Sequence, residues 1–148
     1  MLLAAAALQA CSLLTSAEIA AVQRETPSEK RETVSKRGEL DVAQCFYVLP
    51  TFARSVSLEV ARGNVAALLE RAREGSEGEK GEKEEHAALP VRGLGDEAFW
   101  SGSARLGGLY VRRRDLLLRI AVGGAEGQKA KLAKLRRLAR IALKRLPR

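Results

Sequence analysis

A chain of 148 residues is long enough for one domain with a real core and too short for two. Its 46% apolar and 30% charged residues exclude a disordered polymer. The net charge of +8 excludes less than it suggests: from Glu126 onward nine Lys or Arg stand against one acid, leaving 17 of each sign before that point, so one basic element carries the whole excess.

Met1 to Cys11, Met-Leu-Leu-Ala-Ala-Ala-Ala-Leu-Gln-Ala-Cys, is apolar and rich in small residues, like the end of an export signal, although it lacks a basic n-region. The run is shorter than the about 20 residues that span a bilayer, so either the true start lies upstream or the run is not a signal. Residues 1–10 read as a signal-peptide remnant or truncated export signal, with a disordered cytosolic tail as the plainer alternative. Two processing readings stay open. Leu8-Gln9-Ala10-Cys11 resembles a lipobox, which makes Cys11 a lipidated first residue, with Gln before Ala atypical of that pattern; Ala5-Ala6-Ala7 suits ordinary signal cleavage.

Thr15-Ser16-Ala17-Glu18 has the spacing of a capping box, and Leu14 and Ile19 occupy the positions of a hydrophobic staple. A helix over Ser16–Gln23 is expected. Arg24 to Glu39 is charged, carries Pro27, and reads as a solvated connection. Asp41 to Leu49 is apolar on both alternating faces, as in an interior strand; Arg54 to Arg62 alternates, with Val56, Leu58 and Val60 toward a core and Ser55, Ser57 and Glu59 toward water. Val65, Leu68, Leu69 and Ala72 recur at helical spacing up to Gly75. Residues 75–88 have no apolar period and lack the ligand spacing of a Ca²⁺ loop, so they read as a flexible acidic spacer in which His86 is exposed and idle.

Gly93-Leu94-Gly95-Asp96-Glu97-Ala98 matches the dinucleotide fingerprint in letters, yet Phe99-Trp100 and small residues follow where that motif needs a helix. The stretch reads as turn and strand. Asp96 is expected to cap the turn and Glu97 to face water, while Phe99 and Trp100 point to opposite faces with Trp100 against the helices. Leu109 and Val111, then Leu116, Leu118, Ile120 and Val122, flank Arg112-Arg113-Arg114-Asp115, which is a hairpin. Its arginines read as a solvated tip, with a phosphate contact as the sharper alternative. Gln128 to Leu146 places Leu132, Leu135, Leu138, Ala139, Ala142 and Leu146 on one helical face, opposite Lys129, Arg136, Arg137, Arg140 and Lys144.

Taken in order, Cys11-Ser12-Leu13-Leu14-Thr15-Ser16-Ala17-Glu18-Ile19, Gln44-Cys45-Phe46-Tyr47, Gly93-Leu94-Gly95-Asp96-Glu97-Ala98-Phe99, the Leu-Tyr-Val hairpin and the Leu-Ala-rich last helix resemble a family of uncharacterised exported bacterial domains. That family opens with Cys-x-Leu-Leu-Thr-x-x-Glu, carries a second Cys on the first strand, and includes lipoproteins of unknown function. The resemblance runs from Cys11 to the end, and the order of the motifs carries it. Two features depart from it: the family has Gly where Arg24 ends the first helix, and the acidic loop is longer here. The resemblance, together with two cysteines in a chain that looks exported, implies a disulfide between Cys11 and Cys45, with lipidation of Cys11 as the exclusive alternative.

The expected architecture is one α+β domain over residues 11–148, in the order α-β-β-α-β-β-β-α, with a mainly antiparallel sheet of about five strands covered by helices on one side. No nucleophile paired with a base, metal-ligand cluster or phosphate loop stands out, so no catalytic residue, metal or cofactor is assigned. The leading functional expectation is a non-catalytic binding or interaction module of the cell envelope, periplasmic, secreted or lipid-anchored. Arg136, Arg137, Arg140 and Lys144 would form a strip for anionic lipid or cell-wall polymer. Nucleic acid is a poor partner, since no aromatic residue interrupts the strip for stacking. The competing class is a hydrolase with a pocket on the free sheet face; a lipid-anchored protein binding anionic surfaces is a further alternative.

Overall fold

The computed structural model describes residues 8–74 and 88–147, and its centre is a seven-stranded, wholly antiparallel sheet. A 3-10 turn at Ala10–Ser12 leads into helix α1 (Ser16–Gln23). Strands β1 (Glu29–Arg37), β2 (Leu40–Val48) and β3 (Val56–Arg62) form a meander, followed by helix α2 (Ala66–Glu74). The short β4 (Leu89–Pro90), then β5 (Glu97–Ser101), β6 (Gly108–Arg113) and β7 (Leu116–Val122), form a second meander, and helix α3 (Gln128–Arg145) closes the fold. The order across the sheet is β1-β2-β3-β7-β6-β5-β4, so the meanders join where β3 pairs β7.

α1 starts where its capping residues dictate. The Glu18 amide donates to the Thr15 hydroxyl at 3.1 Å, the Thr15 amide donates to the Glu18 carboxylate at 2.9 Å, and the staple residues Leu14 and Ile19 are wholly buried. The helix stops at Arg24, whose φ of 62° is left-handed. That is the position where the resembled family carries glycine, which takes this conformation without a side-chain penalty.

Alternation along each strand divides the core in two. On one face Ala43, Cys45, Tyr47, Val56, Leu58, Val60, Leu118, Ile120 and Trp100 pack with Leu14, Ile19 and the inner side of α3. On the other, Val42, Ala61, Leu117 and Phe99 pack with Val65 and Leu69 of α2. Helices on one side only was therefore the wrong expectation. β2 is apolar on both faces, Leu116 to Leu118 is buried without a break, and burying the second set needs α2. Trp100 (1% exposed) and Phe99 (2% exposed) do point oppositely, and both are core for the same reason.

The strand count also exceeds the expected five, by β1 and β4. Charge and Pro27 make residues 24–39 read as a solvated connection, and all nine residues of β1 are indeed exposed, including Val34 at 65%. It is a strand through its backbone, paired residue for residue with β2 from Glu29↔Val48 to Arg37↔Leu40. Its charges suit an edge that must not recruit further strands. β4 is a two-residue edge pair to β5, too short to leave a period in the sequence. The acidic run and His86 lie outside the described residues, apart from Ala88.

Candidate functional site

α3 is held by its apolar stripe. Leu135, Leu138, Ala139 and Ala142 have no exposure and Leu146 has 6%, as the helical period requires. Opposite them Arg137, Arg140 and Lys144 are exposed, while Arg136 is half-buried and donates to the Arg92 carbonyl at 3.1 Å. Among the described residues, none of these four pairs with a carboxylate, whereas Arg31, Lys36 and Arg37 of β1 all do. The expected strip is thus one face of a rigid, docked helix.

Three other cations of α3 serve the fold. Lys131 is 1% exposed, and its ammonium donates to the carbonyls of Ala104 (3.1 Å) and Arg105 (3.4 Å), tying down the β5–β6 loop. Burial holds its pKa below the ordinary lysine value. Lys134 donates to the Gln23 side chain at 2.7 Å and to Glu126 at 2.6 Å, and the wholly buried Gln23 amide donates to the carbonyls of Arg54 and Gly123. Arg145 grips both oxygens of Glu18 at 2.7 Å and reaches the Leu13 carbonyl. The Arg145 bond, more than any other, holds the Glu18 carboxyl at about 2. The sequence offered no signal for these roles, because a Lys on an apolar stripe looks like a fault in the pattern until the carbonyls facing it are known.

The three tip arginines also divide. Arg112 donates to Asp96 at 3.4 Å and to Glu97 at 3.3 Å. Arg113 caps the end of α3, donating to the carbonyls of Leu143 (2.9 Å), Leu146 (3.4 Å) and Pro147 (3.1 Å). Arg114 is exposed with φ of 55°, and its backbone N–H donates to Asp96 at 2.6 Å. A uniformly solvated tip is therefore corrected to one exposed arginine and two engaged ones. Asp96 does not cap its own turn as expected: its carboxylate accepts from the backbone of the β6–β7 tip instead. Glu97 does not simply face water: it pairs with Arg73 and Arg112, and although burial pushes its carboxyl up, those guanidinium groups bring it below the ordinary value. Gly95 is needed here, since at φ of 57° a Cβ would sit 2.7 Å from the Arg112 carbonyl.

Cys11 and Cys45 are bonded, with Cα atoms 4.9 Å apart, so the N-terminal segment is tied to β2. A sulfur in this bond cannot also carry a thioether. Leu8 and Ala10 are buried in the main core beside this link. The Cys11 amide donates to Glu32 of β1 at 3.2 Å, and the Tyr47 hydroxyl donates to the Leu14 carbonyl at 3.1 Å. Burial pushes the Tyr47 hydroxyl up to about 12.

The part of the sheet that α2 leaves open is polar. Two depressions of about 320 and 300 Å³ meet at Glu59 and Arg119. Thr33 donates to Gln44 (3.1 Å), Gln44 to Glu59 (2.7 Å), Arg37 to Glu59 (3.2 Å) and Arg119 to Tyr110 (3.0 Å), so these groups bond one another. A larger cleft of about 460 Å³ lies between the β6–β7 tip and the last turn of α3. No group of three metal-binding side chains occurs among the described residues, and no described helix is long and apolar enough to cross a membrane. Comparison with family models, curated proteins and solved structures found no match to this chain.

Proposed function

We propose that this chain is a non-catalytic binding module of the bacterial cell envelope, acting outside the cytoplasm, that docks on anionic phosphate-bearing surfaces through the outer face of α3. One observation carries the reading: Arg137, Arg140 and Lys144 are exposed on a helix whose other face is locked into the core, and no described carboxylate neutralises them. Basic residues near an anionic membrane contribute about 1 kcal/mol each, roughly fivefold in affinity, so a strip of this size binds weakly and reversibly. The Cys11–Cys45 bond supports an oxidising compartment. The resemblance to exported domains points the same way, and we extend it to membership of that family.

The test is co-sedimentation with phosphatidylcholine vesicles, with and without phosphatidylglycerol, and in parallel with soluble polyglycerol phosphate as a wall-polymer surrogate. Binding is expected only where phosphate charge is in excess. It should fall with the change of Arg136, Arg137, Arg140 and Lys144 to Gln, and weaken as salt rises past physiological strength, where the Debye length drops below about 8 Å. Binding that survives both the substitutions and high salt would reduce the strip to a solvated helix face. Preference between vesicle and polymer identifies the physiological surface.

A further inference from the structure

We infer that the cleft at the end of α3 is a site for a single amphiphilic anion, an alkyl or acyl chain bearing a phosphate or carboxylate head. The inference goes beyond the surface reading and stands without it, because it concerns one ligand molecule in solution.

The cleft volume of about 460 Å³ falls in the range of small-molecule sites. Its lining is divided by chemistry. Leu116, Leu143, Leu146 and Pro147 supply apolar wall, and the exposed cations Arg114 and Lys144 stand beside it. Leu146 and Pro147 also border a second depression of about 120 Å³, lined by Leu8, Leu13 and Val60 together with Gln9, Ser12 and Arg145, so some apolar wall extends past the first cleft, among polar groups.

The end of a helix is normally a poor place for an anion, since its last carbonyls carry the negative end of the dipole. Here Arg113 occupies three carbonyls at that end, so the usual objection is removed by a residue of the cleft itself. Asp115 is the one acid of the lining, opposed by Arg114 and Lys144, for neither of which a carboxylate partner exists among the described residues. Arg114 sits at φ of 55° in the two-residue turn between β6 and β7, and its backbone N–H donates to the Asp96 carboxylate at 2.6 Å, so the backbone that carries its guanidinium is fixed beside the cleft.

The experiment is calorimetric titration of the intact chain with butyl, hexyl, octyl and decyl phosphate below their micelle concentrations, with inorganic phosphate and a neutral alkyl maltoside as controls. One-to-one binding is expected, with affinity rising about fourfold per methylene until the cleft is filled, and no detectable binding of inorganic phosphate. Arg114→Gly, which suits the left-handed turn and so should fold at least as well, is expected to weaken octyl phosphate about tenfold or more. Leu143→Gln should flatten the chain-length dependence, with circular dichroism confirming the fold. Arg137→Gln/Arg140→Gln should lose vesicle binding yet keep octyl phosphate, so the two readings fail separately. Affinity independent of chain length, unchanged in Arg114→Gly, or matched by the neutral maltoside overturns the inference.

Discussion

β1 and α3 are both dense in charge, and they use it in opposite ways. On β1, Arg31 pairs with Glu29, Lys36 with Asp41 and Arg37 with Glu59, Lys30 lies over the Tyr47 ring at 5.8 Å, and Glu32 accepts from the Cys11 amide. On α3, Lys131, Lys134 and Arg145 are spent on carbonyls and carboxylates, and Arg137, Arg140 and Lys144 have no carboxylate partner among the described residues. The difference follows from the placing of acids: β1 has Glu29 on the strand itself and Asp41 and Glu59 on the neighbouring strands, whereas α3 has no acid of its own and no described carboxylate lies against its outer face. Charge density therefore does not locate a binding surface; the lack of a partner does.

The contrast depends first on how each element is held. α3 presents a fixed basic face because its inner face packs in the cluster that contains Trp100, while β1 is held by its backbone. Trp100→Ala should cost about 3 to 5 kcal/mol in denaturant unfolding. Val34→Ala on β1 should change stability by no more than about 0.5 kcal/mol. Equal effects would erase the distinction.

Next comes the disulfide, which anchors the N-terminal segment beside β1. With a sequence separation of 34, replacing both cysteines by Ser should remove roughly 4 kcal/mol in the chain-entropy model. A melt unchanged by reduction would place that segment's stability elsewhere. Mass spectrometry of the chain from its own host completes the test, since a diacylglyceryl group on Cys11 would exclude the bond.

A smaller effect separates the spent cations of α3 from the free ones. Glu18, held at about 2 by Arg145 against an ordinary 4.5, contributes stability that is present above pH 4.5 and lost as pH falls toward 2. Glu18→Gln, which keeps the capping box, should be less stable by about 1 kcal/mol at neutral pH through the lost ion pair with Arg145, and should converge with the parent chain across that acid window. Lys144→Gln should leave the acid limb unchanged. At the other extreme, Tyr47 contributes stability that is lost as pH rises from 10 through about 12, and Tyr47→Phe should remove that alkaline limb. One small expected change is a gain: Arg24→Gly should stabilise by roughly 0.5 to 1 kcal/mol, because glycine accepts φ of 62° freely.

Legibility in the sequence followed burial. α1, β2, β3, α3 and the β6–β7 hairpin could be read because capping letters and apolar period report directly on a buried face. β1 could not, since a strand with both faces exposed leaves no period, and its pairing with β2 resides in the backbone. The second core was missed because Phe99 and Leu117 look like interruptions of the first alternation unless a helix is placed over them. Of the candidate site, the strip residues were legible as a helical face, although the half-burial of Arg136 was not. Arg113 as the cap of α3 and Lys131 as a buried anchor depend on carbonyls from remote segments, and no local pattern encodes those.

The central claim is that the free cations of α3, rather than the paired cations of β1, meet the anionic surface. Backbone amide chemical-shift mapping of the labelled chain against phosphatidylglycerol nanodiscs tests it directly, with phosphatidylcholine nanodiscs as the control. The account predicts shifts along Arg136 to Lys144 and at the Arg113–Asp115 tip, and none along Glu29 to Arg37. Shifts concentrated on β1 or on the open face around Gln44, Glu59 and Arg119, with α3 silent, would contradict it.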